Sequence, residues 1–242
     1  MRTKTKMMVR YFVCGFLFYL IALPFILIPK RFHFKFFAPL FNKLYLLAPK
    51  IRLYNLSKNK FWKNYPVIYA SNHKCFADFC FISSFLKTPY TILIRHDLMK
   101  NIFFRFITWK MGFIPIDRMN ILSQRKALNK AKKMITKHKY SLIMFPEGWY
   151  DFDKVLGKLR KGIFKLAKDA KVNIIPIAIY GINENFVFQK KLAWKDVYIK
   201  AGDPISYRSF KKSDDMLKHL ELEINKLYYE IELHVSTNVN IN

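Results

Sequence analysis

Short apolar runs alternate with longer lysine-bearing stretches from Pro49 to the end of the chain. This alternation is typical of strands and helices that follow one another in an α/β sheet. Strands are predicted at residues 67–70, 91–95, 113–116, 141–145, 174–180 and 197–201. Helices are predicted at residues 78–86, 98–110, 120–137, 161–170 and 214–233. The pattern therefore predicts one α/β domain over residues 49–242, in which a mixed central sheet is flanked by helices.

An uncharged apolar stretch occupies residues 11–28, with basic residues on both sides. As an α-helix it would be about 27 Å long, close to the roughly 30 Å hydrocarbon core of a bilayer, although Pro24 interrupts it. It can therefore cross the bilayer, or it can form a hairpin in one leaflet with the aromatic stretch 32–47. We favour the hairpin and predict that residues 1–48 are membrane-anchoring helices.

The charge of the chain indicates an anionic partner. Its 43 Lys and Arg against 16 Asp and Glu give a net charge of +27. The basic residues are interspersed with 24 Phe and 14 Tyr, a combination that suits the headgroup region of a membrane. Neither a helix-turn-helix pattern nor an RNA-binding aromatic signature is present. We therefore predict membrane lipids with an anionic surface as partners and no nucleic acid.

Several enzyme classes lack their usual signatures in this sequence. The seven glycines form neither a Gly-x-Gly-x-x-Gly turn nor a phosphate-binding loop, which argues against nucleotide-dependent chemistry. There is no Gly-x-Ser-x-Gly elbow and no His-Glu-x-x-His pair, so serine and zinc hydrolases are not indicated. The three cysteines show no metal-ligand spacing, and no metal site is predicted.

The strongest candidate for catalysis is a polar turn that follows the predicted strand 67–70. His73 lies in this turn, and an imidazole with a usual pKa of about 6.5 accepts a proton near neutral pH. Asp78 can bond the other ring nitrogen and fix the tautomer, provided that a turn brings the two residues together. On these residues alone, a helix-capping Asp beside an unrelated His explains the pattern equally well.

Later segments favour the catalytic interpretation. The apolar strand 113–116 leads to Arg118, whose planar guanidinium suits a phosphate. The strand 141–145 leads to Glu147, which is expected at the same edge of the sheet. A basic loop follows, before a helix whose N-terminus attracts anions, and it contains Lys158, Arg160 and Lys161.

The predicted strand 174–180 contains Pro176. Because proline cannot donate a backbone hydrogen bond, it is usually found at the margins of sheets. We expect Pro176 to mark an irregular edge.

Four blocks, in this order, resemble the glycerolipid acyltransferase family, specifically the 1-acylglycerol-3-phosphate acyltransferases. Asn-His-x-x-x-x-Asp is matched by residues 72–78, and Gly-x-Ile-x-Ile-Asp-Arg by residues 112–118. Phe-Pro-Glu-Gly is matched by residues 145–148, and Val/Ile-Pro-Ile by residues 175–177. One short block would be a weak signal, whereas four blocks in the family's order are specific.

The resemblance implies an O-acyltransferase that needs neither metal nor cofactor. His73 would deprotonate the acceptor hydroxyl, Asp78 would orient His73, and the resulting alkoxide would attack an acyl thioester. Arg118 and Glu147 would bind the polar part of the acceptor, and Gly148 would allow close approach of the backbone.

The resemblance also implies the substrates. The acceptor would be 1-acylglycerol-3-phosphate and the product phosphatidic acid, and Pro176 would help shape the acyl region. The donor would be acyl-CoA or acyl carrier protein, both anionic, in agreement with the basic chain. We expect the enzyme at the cytoplasmic face of a bacterial inner membrane.

One departure from the family concerns the acceptor. Thr-Arg normally follows Phe-Pro-Glu-Gly, whereas this chain has Trp149 and Tyr150. The phosphate would then be held by Arg118 and the basic loop, and a different lysophospholipid or an aminolipid stays open as the acceptor. A noncatalytic basic protein that binds membranes or nucleic acid is a more distant alternative, which leaves the four blocks unexplained.

Overall fold

A computed structural model describes residues 34, 42, 50–57, 65–75, 77–149, 154–182 and 195–239. The predicted apolar segment 11–28 and most of the predicted anchor therefore lie outside the described residues. Among the helices within those ranges, none combines the length and apolar composition needed to cross a membrane.

The described strands and helices follow the predicted alternation. The strands are β1 (Ile51–Asn55), β2 (Ile68–Ser71), β3 (Tyr90–Arg95), β4 (Ile114–Ile116), β5 (Ser141–Met144), β6 (Ile174–Tyr180) and β7 (Lys195–Ala201). The α-helices are α1 (Asp78–Ser83), α2 (Ile102–Met111), α3 (Ile121–Thr136), α4 (Gly162–Ala170) and α5 (Ser213–Val239). A 3-10 helix, His96–Lys100, connects β3 to α2.

The strands within the described ranges form one sheet in the order β1-β7-β6-β2-β5-β3-β4. Strands β6, β2, β5, β3 and β4 run parallel, whereas β7 runs antiparallel to β6, and β1 runs parallel to β7. The predicted mixed α/β sheet flanked by helices is therefore confirmed. In the parallel part, the carboxyl ends of the strands meet at one edge, where ligands of such sheets commonly bind.

Alternating side chains divide the core into two layers. On β2, Tyr69 faces the layer that contains the buried α1 residues Phe81 and Ile82. Ile68 and Ala70 face the other layer, against helices α3, α4 and α5. Every residue of β2 and β5 is buried, as expected for strands with both faces covered.

Two sequence predictions need correction. Strand β1 was not predicted, because Ile51–Asn55 carries Arg52 and pairs with β7 across a long separation in sequence. The expectation that Pro176 marks an irregular edge is wrong, since β6 lies inside the sheet between β2 and β7. The Pro176 carbonyl accepts from the Gly202 N–H at 2.9 Å, so the Pro176 nitrogen also faces the β7 side of the strand. Regular pairing of β6 with β7 begins only at the next residue, Ile177, so the missing N–H of Pro176 lies just outside the paired segment.

Two described residues of the predicted anchor contact the α/β domain. Phe34 is buried and packs edge-on against Tyr90 and Tyr140, with ring centroids 5.0 Å and 5.4 Å away. The Asn42 side chain donates to the Ser83 hydroxyl at 2.7 Å. The division at residue 48 stays a prediction, but the chain on its N-terminal side does contact the domain.

Helix α3 begins with a side-chain cap. The Asn120 carbonyl oxygen accepts from the backbone N–H groups of Leu122 at 2.9 Å and Ser123 at 3.1 Å. We expect Asn120→Ala to lower the free energy of unfolding by about 1 kcal/mol, because these amides lose their acceptor. Denaturant unfolding followed by circular dichroism measures the change. Asn129→Ala, on the exposed middle of the same helix, is the matched control, and equal losses in both variants would contradict the capping role.

Candidate active site

The candidate site lies at the carboxyl edge of the parallel strands. His73 follows β2, Arg118 follows β4 and Glu147 follows β5. Strand β2 lies beside β5, and β4 lies two strands beyond β5. Because all of these strands run parallel, residues distant in sequence arrive at one edge of the sheet.

Asn72 fixes the end of β2 to β6. Its side-chain amide donates to the Ile179 carbonyl at 2.9 Å, and its carbonyl oxygen accepts from the Ile179 N–H at 2.8 Å. The regular pairing of β2 with β6 ends at Ser71 and Ile177. The Asn72 amide thus continues the ladder with a side chain, and it defines where the next residue, His73, leaves the sheet.

His73 and Asp78 form a buried pair. The His73 Nδ1 lies 2.7 Å from Asp78 Oδ2. The same carboxylate accepts from the backbone N–H groups of Lys74 at 2.5 Å and Cys75 at 2.9 Å, and from the Cys75 thiol at 3.2 Å. Burial and the neighbouring Asp78 charge raise the pKa of Cys75, so this thiol acts as a donor and not as a nucleophile.

A turn between His73 and Asp78 makes this pairing possible. The Asp78 N–H donates to the Cys75 carbonyl at 3.2 Å, and α1 begins at Asp78. The carboxylate therefore points back over the turn that precedes its own helix. The required turn is present, and this geometry goes beyond helix capping because the imidazole shares the carboxylate with the backbone.

The ring of His73 has a defined orientation. It stacks on Phe145 with 4.3 Å between ring centroids and 16° between planes. A carboxylate only accepts, so Nδ1 carries the proton toward Asp78, and Nε2 is the proton acceptor of the neutral imidazole. The arrangement can support general-base chemistry at Nε2.

Glu147 binds the backbone of the same turn. Its Oε1 accepts from the His73 N–H at 2.7 Å, and its Oε2 accepts from the Gly157 N–H at 2.5 Å. The residue is 7% exposed, and burial raises the pKa of its carboxyl, while the two N–H groups and the nearby Lys74 oppose the rise. Glu147 was predicted to bind the acceptor, whereas in the structure both carboxylate oxygens contact backbone donors.

Arg118 lies in a cluster of arginines. Burial lowers the pKa of its guanidinium most, and the positive charges of Arg160 and Arg95 lower it further, against a smaller opposing effect of Asp97. Its Cζ lies 5.4 Å from the centroid of the Trp149 ring, within the range of a cation–π contact. Several positive charges at a half-buried site repel one another, so binding of an anion there is electrostatically favourable.

Gly148 makes room for Arg160. Its φ is +83°, a conformation that other residues rarely adopt, and a Cβ built there would lie 2.7 Å from Arg160 Nε. The same Nε donates to the Glu147 carbonyl at 3.3 Å. The group that lies close to Gly148 in the structure is thus the guanidinium of Arg160, and the predicted approach of the acceptor stays a prediction.

The structure describes the surroundings of three other predicted site residues. Lys158 is exposed, and Lys161 forms an ion pair with Asp214 of α5 at 2.8 Å. Pro176 shares a strand face with Ile174 and Ala178, which pack toward α4 and α5, on the opposite side of the sheet from Phe145.

Sequence analysis missed two residues of this site. Asn72 was recognised as part of a block but received no role, and its bonds to β6 could not be foreseen without the strand order. Arg95 ends β3 and pairs with Asp97 at 2.6 Å. Its place at the end of a predicted strand was a usable signal, because that strand ends at the same edge as Arg118. Within the described residues, no group of three His, Cys, Asp or Glu side chains could hold a metal ion.

Comparison with known proteins identifies the family. A family model described as Acyltransferase matches residues 51–180, more than half of the chain. A 1-acyl-sn-glycerol-3-phosphate acyltransferase of Borreliella burgdorferi is 31% identical over 122 residues, which are 50% of this chain and 48% of that protein. A chloroplastic enzyme of the same name from Brassica napus is 30% identical over 116 residues, 48% of this chain and 33% of that protein.

The fold is also that of a solved structure. The 1-acyl-sn-glycerophosphate (LPA) acyltransferase PlsC of Thermotoga maritima superposes with a TM-score of 0.71 at 18% identity, covering 93% of this chain and 97% of that one. The matches to the curated relatives span about a third to a half of the length of those proteins. On the family model, the ordered blocks and the shared fold, the chain belongs to the acyltransferase family.

Proposed function

We propose that this chain transfers a fatty acyl group from acyl-CoA or acyl carrier protein to the free hydroxyl of 1-acylglycerol-3-phosphate, giving phosphatidic acid. The observation that carries the proposal is the buried His73–Asp78 pair, 2.7 Å apart, at the same sheet edge as the arginine cluster. A base beside an anion site fits an acceptor that has both a hydroxyl and a phosphate. The names of the relatives support this acceptor.

The proposed reaction follows from the orientation of the imidazole. His73 Nε2 accepts the proton of the acceptor hydroxyl while the oxygen attacks the thioester carbonyl carbon. The tetrahedral intermediate then breaks its C–S bond, and the leaving sulfur takes the proton back from His73. Asp78 keeps Nδ1 protonated and stabilises the imidazolium that forms between the two transfers.

The acceptor phosphate is proposed to lie between Arg118 and Arg160. Arg118 is held against the Trp149 ring, which fixes the plane of its guanidinium for two parallel hydrogen bonds. Arg160 approaches the same place over Gly148 and supplies the second cation, in a chain that has Trp149 and Tyr150 where the family has Thr-Arg. Arg95 extends the positive region from the end of β3.

We propose that Glu147 acts by positioning His73. Its carboxylate joins the His73 N–H to the Gly157 N–H, so it ties the catalytic turn to the loop that leads to Arg160. The side chain is only 7% exposed, which leaves little of the carboxylate accessible to an acceptor. A negative charge facing the phosphate would also oppose binding.

The donor and the location belong to the same proposal. Acyl-CoA and acyl carrier protein are both anionic and are attracted by a chain of net charge +27. A membrane location, at the cytoplasmic face, agrees with a lipid acceptor and with the apolar stretch 11–28.

The function is tested by transfer of radiolabelled acyl groups to 1-acylglycerol-3-phosphate in detergent micelles, with acyl-CoA and acyl carrier protein as separate donors. We expect labelled phosphatidic acid from the unaltered chain with at least one donor. His73→Ala should lower kcat by about 10²–10⁴-fold, because the general base is lost.

His138→Ala is the matched control, since His138 is an exposed histidine in the turn after α3. It should retain the activity of the unaltered chain. No product with either donor would contradict the proposal, and so would faster transfer to another lysolipid or to an aminolipid offered at the same concentration. A His73→Ala variant with unchanged kcat would remove His73 from the reaction.

Arg118 is expected to bind the acceptor and not the donor. Arg118→Ala should raise the acceptor KM by at least about tenfold, because a hydrogen bond to a charged group contributes about 1.5–3 kcal/mol. Arg118→Lys keeps the charge but loses the planar guanidinium, so its acceptor KM should lie between those of the unaltered chain and of Arg118→Ala. Initial rates at varied acceptor and donor concentrations separate the KM values. Arg208→Ala, an exposed arginine on Tyr207, is the control, and an unchanged acceptor KM in Arg118→Ala would contradict the assignment.

A further inference from the structure

Helix α2 exposes large apolar side chains along one face. Ile102 is 70% exposed, Phe106 is 37% exposed and Trp109 is 70% exposed. Their spacing of four and three residues places them on the same side of the helix. The rings of Phe106 and Trp109 lie 6.0 Å apart, so they form a continuous aromatic surface.

A second exposed apolar group follows β4. Met119 is 84% exposed, Ile121 is 66% exposed and Leu122 is 65% exposed. The turn is held in place, because Met119 donates its N–H to Asp117 at 2.9 Å and Asn120 caps the helix that begins at Ile121. These side chains are therefore presented outward by a fixed turn.

The chain segment that contains both groups is basic. Between Asn101 and Thr136 the sequence has one acidic residue, Asp117, against eight basic ones: Arg105, Lys110, Arg118, Arg125, Lys126, Lys130, Lys132 and Lys133. Helix α5 shows the reverse, with six acidic residues and two lysines in Ser213–Val239. The segment that exposes the apolar side chains of α2 and of the 119–122 turn is thus basic, whereas α5 is acidic.

Both groups border the candidate site. Helix α2 starts after the 3-10 helix that follows β3, and the 119–122 turn follows β4 directly. Strands β3 and β4 are parallel neighbours, so Ile102 and Met119 come from the edge of the sheet that carries Arg118. Trp109 lies about 10 Å farther along α2, at a rise of about 1.5 Å per residue.

We propose that the exposed side chains of α2 and of the 119–122 turn form a docking surface that inserts into an anionic lipid bilayer. An apolar face with aromatic residues and surrounding cations is the arrangement of helices that lie in the membrane interface. The choice of a bilayer rests in part on the lipid acceptor proposed above. An acidic carrier protein would be recognised mainly through the cations and gives no reason for so many protruding apolar tips.

This surface gives the lipid acceptor a direct route. Docking places the Arg118 edge of the sheet at the level of the lipid headgroups. A phosphate at that level can reach the arginine cluster while the acyl chain of the acceptor stays among the lipids. The surface acts in addition to any anchor in residues 1–48.

The test uses the full chain with an environment-sensitive fluorophore on a single accessible cysteine. Cys14→Ser provides the background, since Cys75 and Cys80 are buried. Cysteines introduced as Ile102→Cys and Met119→Cys carry the label, and Leu222→Cys and Leu233→Cys on α5, exposed to 58% and 66%, are the matched controls. The labelled chains are reconstituted into vesicles of phosphatidylglycerol and phosphatidylethanolamine with brominated acyl chains.

We expect labels at Ile102 and Met119 to shift to shorter wavelength and to be quenched several times more strongly than labels at Leu222 and Leu233. Phosphatidylcholine vesicles should weaken the quenching. Equal quenching at all four positions would overturn the docking surface, as would a response at Ile102 and Met119 to acyl carrier protein in place of vesicles. The readout requires no acyl transfer, so failure of the proposed reaction and failure of this surface are distinguishable.

Discussion

The candidate site depends on how the buried turn after β2 satisfies its backbone amides. Buried N–H groups need acceptors, and this turn has no neighbouring strand to supply them. Glu147 accepts from His73, and Asp78 accepts from Lys74 and Cys75. Asn72 holds the start of the turn to β6. Side chains from two sequence blocks and the backbone of Ile179 on β6 thereby fix the imidazole before any substrate is present.

This arrangement separates the charges of the site. The Asp78 and Glu147 carboxylates are buried and accept from backbone N–H groups of the turn. Their negative charges are therefore stabilised by the turn itself. The guanidinium groups of Arg118 and Arg160 repel each other, and Arg118 is partly buried, so an anion is favourable beside them. The described domain continues this polarity on a larger scale, from the basic helices α2 and α3 to the acidic helix α5.

The sequence predicted the elements better than the contacts between them. Alternating apolar runs located β2 to β7 and the helices within a few residues, because local periodicity reflects burial on one face. Strand β1 was missed, since its partner β7 lies 144 positions away and its own sequence contains a charge. Pro176 was expected at an edge because the sequence shows that it has no N–H donor. The sequence does not show that the pairing of β6 with β7 begins only after Pro176.

The candidate site shows the same limit. His73, Asp78 and Arg118 were identifiable from residue type and position, because each lies just after a predicted strand or at the start of a helix. The environment of Glu147 could not be identified in this way, because its partners are backbone groups of His73 and Gly157, which carry no sequence signal. The same reasoning applies to Arg160, whose approach to Gly148 depends on the course of the loop between them.

Glu147 is proposed to act through His73, whose backbone N–H it binds. The most direct test compares kcat and acceptor KM of Glu147→Gln, His73→Ala and the double variant. We expect the double variant to have the same residual kcat and acceptor KM as His73→Ala, because a residue that only positions the base contributes nothing once the base is gone. A further fall in kcat, or a rise in acceptor KM, on adding Glu147→Gln to His73→Ala would show that Glu147 contacts the acceptor and would contradict the positioning role.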